Sequence, residues 1–322
     1  MPRTRPTRAY LSGLVLLLTL AALPARAQSG KKVLFVNSYH EGYAWTDGEE
    51  KGARGVLEPA GVVVKFVRMD TKRHQEDAFR KEAGAKVKAE IESSLPDVVI
   101  LADDPAVQFV LVPYFKEAKL PFVFCGVNWD AGRYNLGKNV TGMLEVALVK
   151  ELLAGLREYA KGPRVGFLTV DSETERIEGP AYKKTLGLSF TAERYVKTFA
   201  EWKAAFDELQ GQVDVLFVGN FAGINDWNEA EASTFVQSHS KVPTGSTYDF
   251  MMPYVMLGYA KIAEEQGAFA GKAALDILKG TPPASIPVTA NKQAKVLINP
   301  RLAAAAGIVF KPELVRSAQV AK

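Results

Sequence analysis

Apolar residues along this chain come in short runs that alternate with stretches of helical periodicity. Val33-Leu34-Phe35-Val36 sits between Lys31-Lys32 and the polar Asn37-Ser38-Tyr39-His40, as expected of a strand buried on both faces that empties into a loop. Thr46 and Glu49 have capping-box spacing, so a helix is expected from there to Glu58, stopped by Pro59 and Gly61. Residues 62–67 read as the next strand. Residues 75–95 read as a helix with Val87, Ile91 and Leu95 on one face. Residues 98–101 are a buried strand opening onto Asp103-Asp104-Pro105, followed by a short helix to about Lys116 and a strand at 122–125.

The order then begins again. After a helix at 148–159, strands are expected at 164–168, 190–196, 213–218 and from Pro243 to Tyr248-Asp249. Helices are expected between them at 180–186, 202–209 and 226–238. Residues 258–278 read as one long helix stopped by Gly280 and Pro282-Pro283, with extended pieces at 286–289 and 295–298 and a last turn at 301–306. Strands alternating with helices predict an α/β fold with parallel sheets flanked by helices, and two such successions predict two Rossmann-like lobes. The lobes repeat in order and not in residues. No Ser/Gly linker divides the chain, so each lobe is expected to be discontinuous.

Before this pattern lies a different one. Arg3, Arg5 and Arg8 precede an apolar run at 11–23, and Ala25-Arg26-Ala27 follows. That is the layout of a secretory signal peptide, and the run is short for a membrane span, so cleavage after Ala27 and export to the periplasm are expected. The segment holds four of the 40 basic residues and no acid, leaving 36 basic residues against 36 acidic. A neutral remainder offers no broad field for nucleic acid. Cys125 is the single cysteine; no intrachain disulfide is possible, and its apolar run reads as core.

In open parallel sheets, ligands bind beyond the carboxyl ends of the strands. Candidate ligand contacts are therefore Ser38, Tyr39, Trp45, Asp103, Asn128, Trp129, Asp171, Glu173, Asn220, Tyr248 and Asp249. Tyr39, Tyr43 and Trp45 could stack on a flat group or simply pack their own loop, and Trp45 could staple the helix after it. Asp104 suits an N-cap and Asp103 a ligand; Asp171, Ser172 and Glu173 pose the same choice. Asn220 has a turn as its alternative. Asn128-Trp129-Asp130 and Tyr248-Asp249 lie where the chain is expected to change lobe, with hinge packing as the competing role.

Enzymatic signals are poor. There is no Gly-x-Ser-x-Gly elbow and no phosphate-binding lysine loop. His40, His74 and His239 are scattered, so no metal site and no cofactor is expected. Asn139-Val140-Thr141 fits a glycosylation pattern that is common by chance.

Asn37-Ser38-Tyr39-His40, Tyr43-Ala44-Trp45-Thr46-Asp47-Gly48, Phe124-Cys125-Gly126-Val127-Asn128, Asn139-Val140-Thr141-Gly142 and Ile277-Leu278-Lys279-Gly280 before Ile286-Pro287-Val288 resemble the ABC-transporter substrate-binding proteins of the type I periplasmic binding fold. That family also supplies periplasmic sensor domains of histidine kinases. The resemblance implies two lobes joined by three crossings with a ligand between them. On that analogy residues 28–127 and 250–288 form lobe 1, and 128–249 and 289–322 form lobe 2. The chain ends at Lys322 without a kinase. It is therefore expected to be a monomeric, non-enzymatic binding protein that closes on a small solute, amino-acid-like and with an aromatic or branched part. It would deliver that solute to an ABC permease in the inner membrane. A separate sensor kinase as partner and a periplasmic enzyme are the alternatives.

Overall fold

A computed structural model describes residues 28–321; the expected signal segment lies outside them. The chain runs through β1 (Lys32–Asn37), α1 (Ala44–Leu57), β2 (Val63–Arg68), α2 (Asp77–Ser94) and β3 (Val98–Ala102). A short α3 (Asp103–Ala106) continues through a π turn (Val107–Leu111) into α4 (Val112–Tyr114), and β4 (Phe122–Asn128) and β5 (Val140–Glu145) follow. Then come α5 (Val149–Arg157), β6 (Val165–Val170), α6 (Glu173–Lys184), β7 (Ala192–Val196), α7 (Phe199–Gln212), β8 (Val215–Val218), α8 (Glu229–His239), β9 (Thr244–Ser246) and β10 (Leu257–Lys261). The chain returns through α9 (Ala263–Leu278) and β11 (Thr289–Ala290). It finishes with β12 (Ala294–Ile298), α10 (Pro300–Ala305), α11 (Pro312–Ser317) and β13 (Gln319–Val320).

Two sheets result. One has the order β11-β5-β4-β3-β1-β2 and the other β13-β12-β10-β9-β8-β6-β7. Leaving out the added edge strands, each runs 2-1-3-4-5 counted within its own lobe. Every pairing is parallel except β10 with β12. Strand alternation sorts the first core into two faces. Val33 and Phe35 of β1 meet Ala53 and Leu57 of α1 and the alanines of α9. Leu34 and Val36 meet Val87 and Ile91 of α2 and the π turn. The second lobe has its own core, in which Trp202 is fully buried among Phe199, Phe206 and Trp227. Cys125 is buried in the first core.

The α/β class and the two Rossmann-like lobes follow the sequence pattern, whereas the division expected within the chain moves. β5 pairs with β4, so residues 128–145 stay with the first sheet. β10 pairs with β9 and β12, so residues 257–261 belong to the second. The crossings therefore follow Glu145, Lys261 and about Asn291. The physical reason is local in both cases. Leu257–Lys261 joins smoothly to the helical pattern that follows it, and only the two neighbouring strands hold it extended. Gly142 interrupts the middle of this segment as a weak strand former, and pairing with β4 and β11 holds β5 extended.

α1 and α9 approach closely because glycines line their contact. A Cβ on Gly52 would sit 2.2 Å from the Glu264 carbonyl oxygen, and one on Gly267 would sit 1.8 Å from that of Glu49. This contact seats the start of α9 beside the end of β5, where the chain crosses between lobes. The expected capping box does not form. α1 starts at Ala44 behind Tyr43, which makes no side-chain cap bond, and Thr46 is buried inside the helix.

Candidate functional site

The carboxyl ends of both sheets face the crossings, and the side chains there form one continuous cluster. From the first lobe, Tyr39 follows β1, Trp45 and Glu49 lie one turn apart on α1, and Asp103 follows β3. The Trp45 indole N–H donates to Asp103 Oδ1 at 3.1 Å. Asp103 is 2 % exposed and Glu49 is 0 % exposed. Neither Glu49 oxygen accepts a hydrogen bond, and Asp103 Oδ2 has no partner either. Burial, with the neighbouring carboxylates Asp103 and Glu145 adding to it, holds the Glu49 carboxyl well above the usual range, although the nearby Trp45 indole and Cys125 thiol act in the opposite direction without reaching hydrogen-bond geometry. Burial and the charges of Glu145 and Asp104 do the same for Asp103. Tyr39 is pushed up by burial and then by Asp103, Glu145 and Glu49.

Backbone geometry presents Asp103. Its φ is +68°, a left-handed turn directly after β3 that costs an L-residue about 1–2 kcal/mol, with Asp among the few types that visit it. Trp129 is held at φ +61° just after β4, where a bulky side chain is an outlier. Its N–H donates to the Glu145 carbonyl oxygen at 3.1 Å, which turns the indole toward the second lobe. There the indole N–H donates to Glu178 Oε1 at 2.8 Å, and the ring meets Tyr182 edge-on at 5.5 Å.

On the second lobe, Glu175 and Glu178 lie one turn apart on α6. Thr169 Oγ1 donates to Glu175 Oε2 at 2.7 Å, and the Tyr248 hydroxyl donates to Glu175 Oε1 at 3.3 Å. Burial raises both glutamates. Lys261 ends β10 and pairs with Glu145, which ends β5, so this ion pair spans two of the crossings. The Lys261 ammonium also lies 5.7 Å above the Trp45 ring. At the third crossing Asn291 holds the Val146 backbone through both its amide groups. Gln266 of α9 takes the Gly126 N–H and donates to the Leu144 carbonyl oxygen.

Of the residues expected from sequence, Tyr39, Trp45, Asp103, Trp129 and Tyr248 meet in this cluster. The others are placed elsewhere. Ser38 Oγ donates to the Ala102 carbonyl oxygen and accepts from the Ala106 N–H, so its hydroxyl ties β1 to α3. Asn128 donates twice to Asp104, which also receives Arg133 and the Tyr134 hydroxyl. Asp104 is thus the centre of a polar knot and not an N-cap. Asp171 is taken by Arg176 at 2.7 Å, with Lys197 3.7 Å away, in a depression lined by Tyr195 and Glu208. Asn220 Oδ1 accepts from the Ala222 N–H in a simple turn. Asp249 is exposed, with Lys295 4.0 Å off. The side chain of Glu173 lies outside the described residues. Asn139 spends its amide N–H groups on the Phe115 and Leu120 carbonyl oxygens.

Sequence reasoning missed Glu49, Glu145, Glu175, Glu178 and Lys261. The spacing of Trp45 and Glu49 on one helix could have found the first. The rest sit in β5, where the pattern predicts no strand, in β10, where it predicts the start of a helix, and in the first turns of α6, which it starts only at Pro180. Among the described residues no group of three His, Cys, Asp or Glu is arranged to hold a metal ion, and no helix is long and apolar enough to cross a membrane.

Trp129 reaches from one lobe to the other, as Lys261 does, and its indole N–H can be tested alone. Trp129→Phe keeps a ring and leaves Glu178 without that donor. A loss of about 1–2 kcal/mol in urea unfolding is expected, and unchanged stability would mean the lobes are not tied here.

Residues 81–322 match the family described as ABC transporter substrate binding protein. The chain belongs to that family. No curated protein matches it. Among solved structures it is similar to the ligand-free, open form of CD0873, a substrate binding protein with adhesive properties from Clostridium difficile. That match has 17% identity and a TM-score of 0.70, covering 91% of this chain and 99% of the other. It is similar to an ABC domain in complex with L-Trp from Streptococcus pneumonia, with 22% identity, a TM-score of 0.53 and coverage of 91% and 99%. A periplasmic ribose ABC transporter protein from Conexibacter woesei matches at 14% identity and a TM-score of 0.52, covering 90% and 98%. These likenesses bear on fold, and the architecture is that of a type I periplasmic binding protein.

Proposed function

We propose that this family member is an exported, non-enzymatic receptor. It would capture a small, amino-acid-like organic solute with an aromatic part by closing its lobes, and hand it to an ABC permease of the inner membrane. The observation that carries the reading is that Trp45 and Asp103 on the first lobe, and Trp129 reaching to Glu178 on the second, gather around Lys261, which pairs with Glu145 and lies over the Trp45 ring beside the crossings. Residues at the crossings stay close to each other as the lobes rotate, so a ligand can dock on them in the open state and gain the contacts that drive closure from the parts of the lobes that swing in. Rings supply a stacking surface and carboxyls supply acceptors for a nitrogen-bearing head. A few charge-assisted hydrogen bonds with stacking give affinities in the micromolar range, about 8 kcal/mol. On this architecture the Streptococcus pneumonia protein is in complex with L-Trp, and the Conexibacter woesei protein is a periplasmic ribose ABC transporter. The aromatic and acidic lining favours the first kind.

A thermal-shift screen of amino acids, amines and sugars tests this. A captured solute should raise the melting temperature in proportion to the logarithm of its concentration and be released unchanged. Trp45→Ala should fold and bind about tenfold more weakly, since it removes a stacking ring and the donor to Asp103. Chemical conversion of the solute, or equal binding by Trp45→Ala, counts against the reading.

A further inference from the structure

Glu49 is an odd residue to bury. Its helix packs on α9 through glycines, its carboxyl is fully enclosed, and both oxygens are unpartnered. Asp103 is also buried; its Oδ1 accepts from the Trp45 indole N–H, and its Oδ2 has no partner. The two carboxyls converge on one spot. Glu49 Oε1 and Asp103 Oδ1 stand 2.8 and 2.7 Å from the point that a Cβ on residue 126 would take, and that residue is a glycine with φ +70°. The bare face of Gly126 is therefore flanked by two carboxyl oxygens, with the Asp103 backbone nitrogen next nearest at 3.2 Å.

The ionisable groups around this spot are mostly carboxyls, and a bound cation would favour their ionised form. Glu49, Asp103, Glu145, Glu175 and Glu178 belong to the cluster, and Lys261 is the cation among them, already paired with Glu145. Arg133 is held by Asp104. Lys72 stands outside, exposed above the Tyr39 and Tyr43 rings at 4.9 and 5.2 Å. Lys72 is thus a cation at the rim whose charge reaches Asp103. A ligand carboxylate passing it to Glu49 would meet no further unpaired cation among the described residues, whereas a cationic nitrogen would meet the unused acceptors Glu49 Oε1 and Oε2 and Asp103 Oδ2. Buried, unpaired carboxyls are costly to keep, and a cation that supplies the missing donors offsets that cost only when it is bound.

We propose that the solute captured here is an organic cation, whose ammonium or amidinium head is held between Glu49 and Asp103 and whose apolar body lies against Tyr39 and Trp45. The inference rests on the capture reading above and narrows it from amino-acid-like solutes to amines without a free carboxylate.

Matched sets test it: phenethylamine, phenylalanine and phenylacetate, with the corresponding indolyl and branched aliphatic sets, titrated calorimetrically into the whole protein. Within at least one set the amine should bind about tenfold or more tighter than the amino acid, with the acid weakest. Glu49→Gln should remove that preference. Asp103→Asn, which suits the left-handed backbone at that position, provides a second variant should the first fold poorly. The proposal is overturned if an amino acid or acid binds tighter than its amine, or if the preference survives in both variants. It is also overturned if no amine binds while another solute does, an outcome that leaves capture itself standing. Failure of every solute class to bind removes both readings.

Discussion

Gly267→Ala should cost the protein more than about 3 kcal/mol of unfolding free energy, at the upper end of what overpacking substitutions do. The added methyl would stand 1.8 Å from the Glu49 carbonyl oxygen, 2.7 Å from its carbonyl carbon and 2.9 Å from the Ala53 nitrogen. All three are backbone atoms of α1, so no rotamer change relieves the clash, and the two helices must separate. Alanine is ordinarily the better helix former by about 1 kcal/mol. The sign of the effect therefore separates close helix contact from propensity. Gly55 on the same α1 has nothing within 4 Å of its Cβ position, so Gly55→Ala should be neutral or stabilising by up to about 1 kcal/mol. Urea unfolding of both variants checks the pair. Equal behaviour would show that α1 and α9 do not touch as described. Separation of the helices would also move Glu49, so solute binding should fall together with stability.

Glu49→Gln should make the empty protein more stable at pH 8 and leave it nearly unchanged near pH 4.5. The sign follows from the direction of the shift. Burial raises the folded-state carboxyl above its ordinary value of about 4.5, so between the two values the folded chain holds a proton that the unfolded chain has released. Stability from this group is then fully present below the ordinary value and is lost as pH rises toward the raised one, by up to about 1.4 kcal/mol per pH unit. Asp103 contributes in the same direction, as do Glu175 and Glu178 more weakly. Asp70, Asp97 and Asp214 are lowered by their Arg, Lys or backbone partners, so their contribution is lost as pH falls below their ordinary value of 3.8, beneath the window in question. Melting curves from pH 5 to pH 8 should thus slope downward in the wild type and less steeply in Glu49→Gln and Asp103→Asn. A flat wild-type profile would mean that Glu49 is solvated and ionised in the fold. A variant that gains stability and loses solute marks a residue kept for binding at the expense of the empty state.

The amino-acid order was enough to specify a two-lobed α/β chain. Val33 to Val36, Val98 to Leu101 and Val215 to Val218 are apolar on both faces, and only a strand between two layers of helices buries both. The loops after them were legible for the same reason, because a sheet of parallel strands leaves its carboxyl ends open. Tyr39, Trp45, Asp103, Trp129 and Tyr248 could be found that way. Ser38, Asn128, Asp171 and Asn220 occupy equivalent loop positions, yet the structure shows their polar groups spent on Ala102, Asp104, Arg176 and Ala222. Asp249 shares the loop of Tyr248 and is left in solvent. Position along a strand tells which residues reach the end of the sheet, and says nothing about which partner each one finds.

Only the tertiary structure decided the rest. β5 and β10 are strands because of the strands beside them, so the crossings after Glu145 and Lys261 could not be placed from local preference. The ion pair between those two residues, the reach of Trp129 to Glu178, and the burial of Glu49 against Asp103 all join segments far apart in sequence. Local pattern reports how a segment folds against an unspecified neighbour. Charge and burial depend on which neighbour arrives, and that is where this protein's acidic cluster is made.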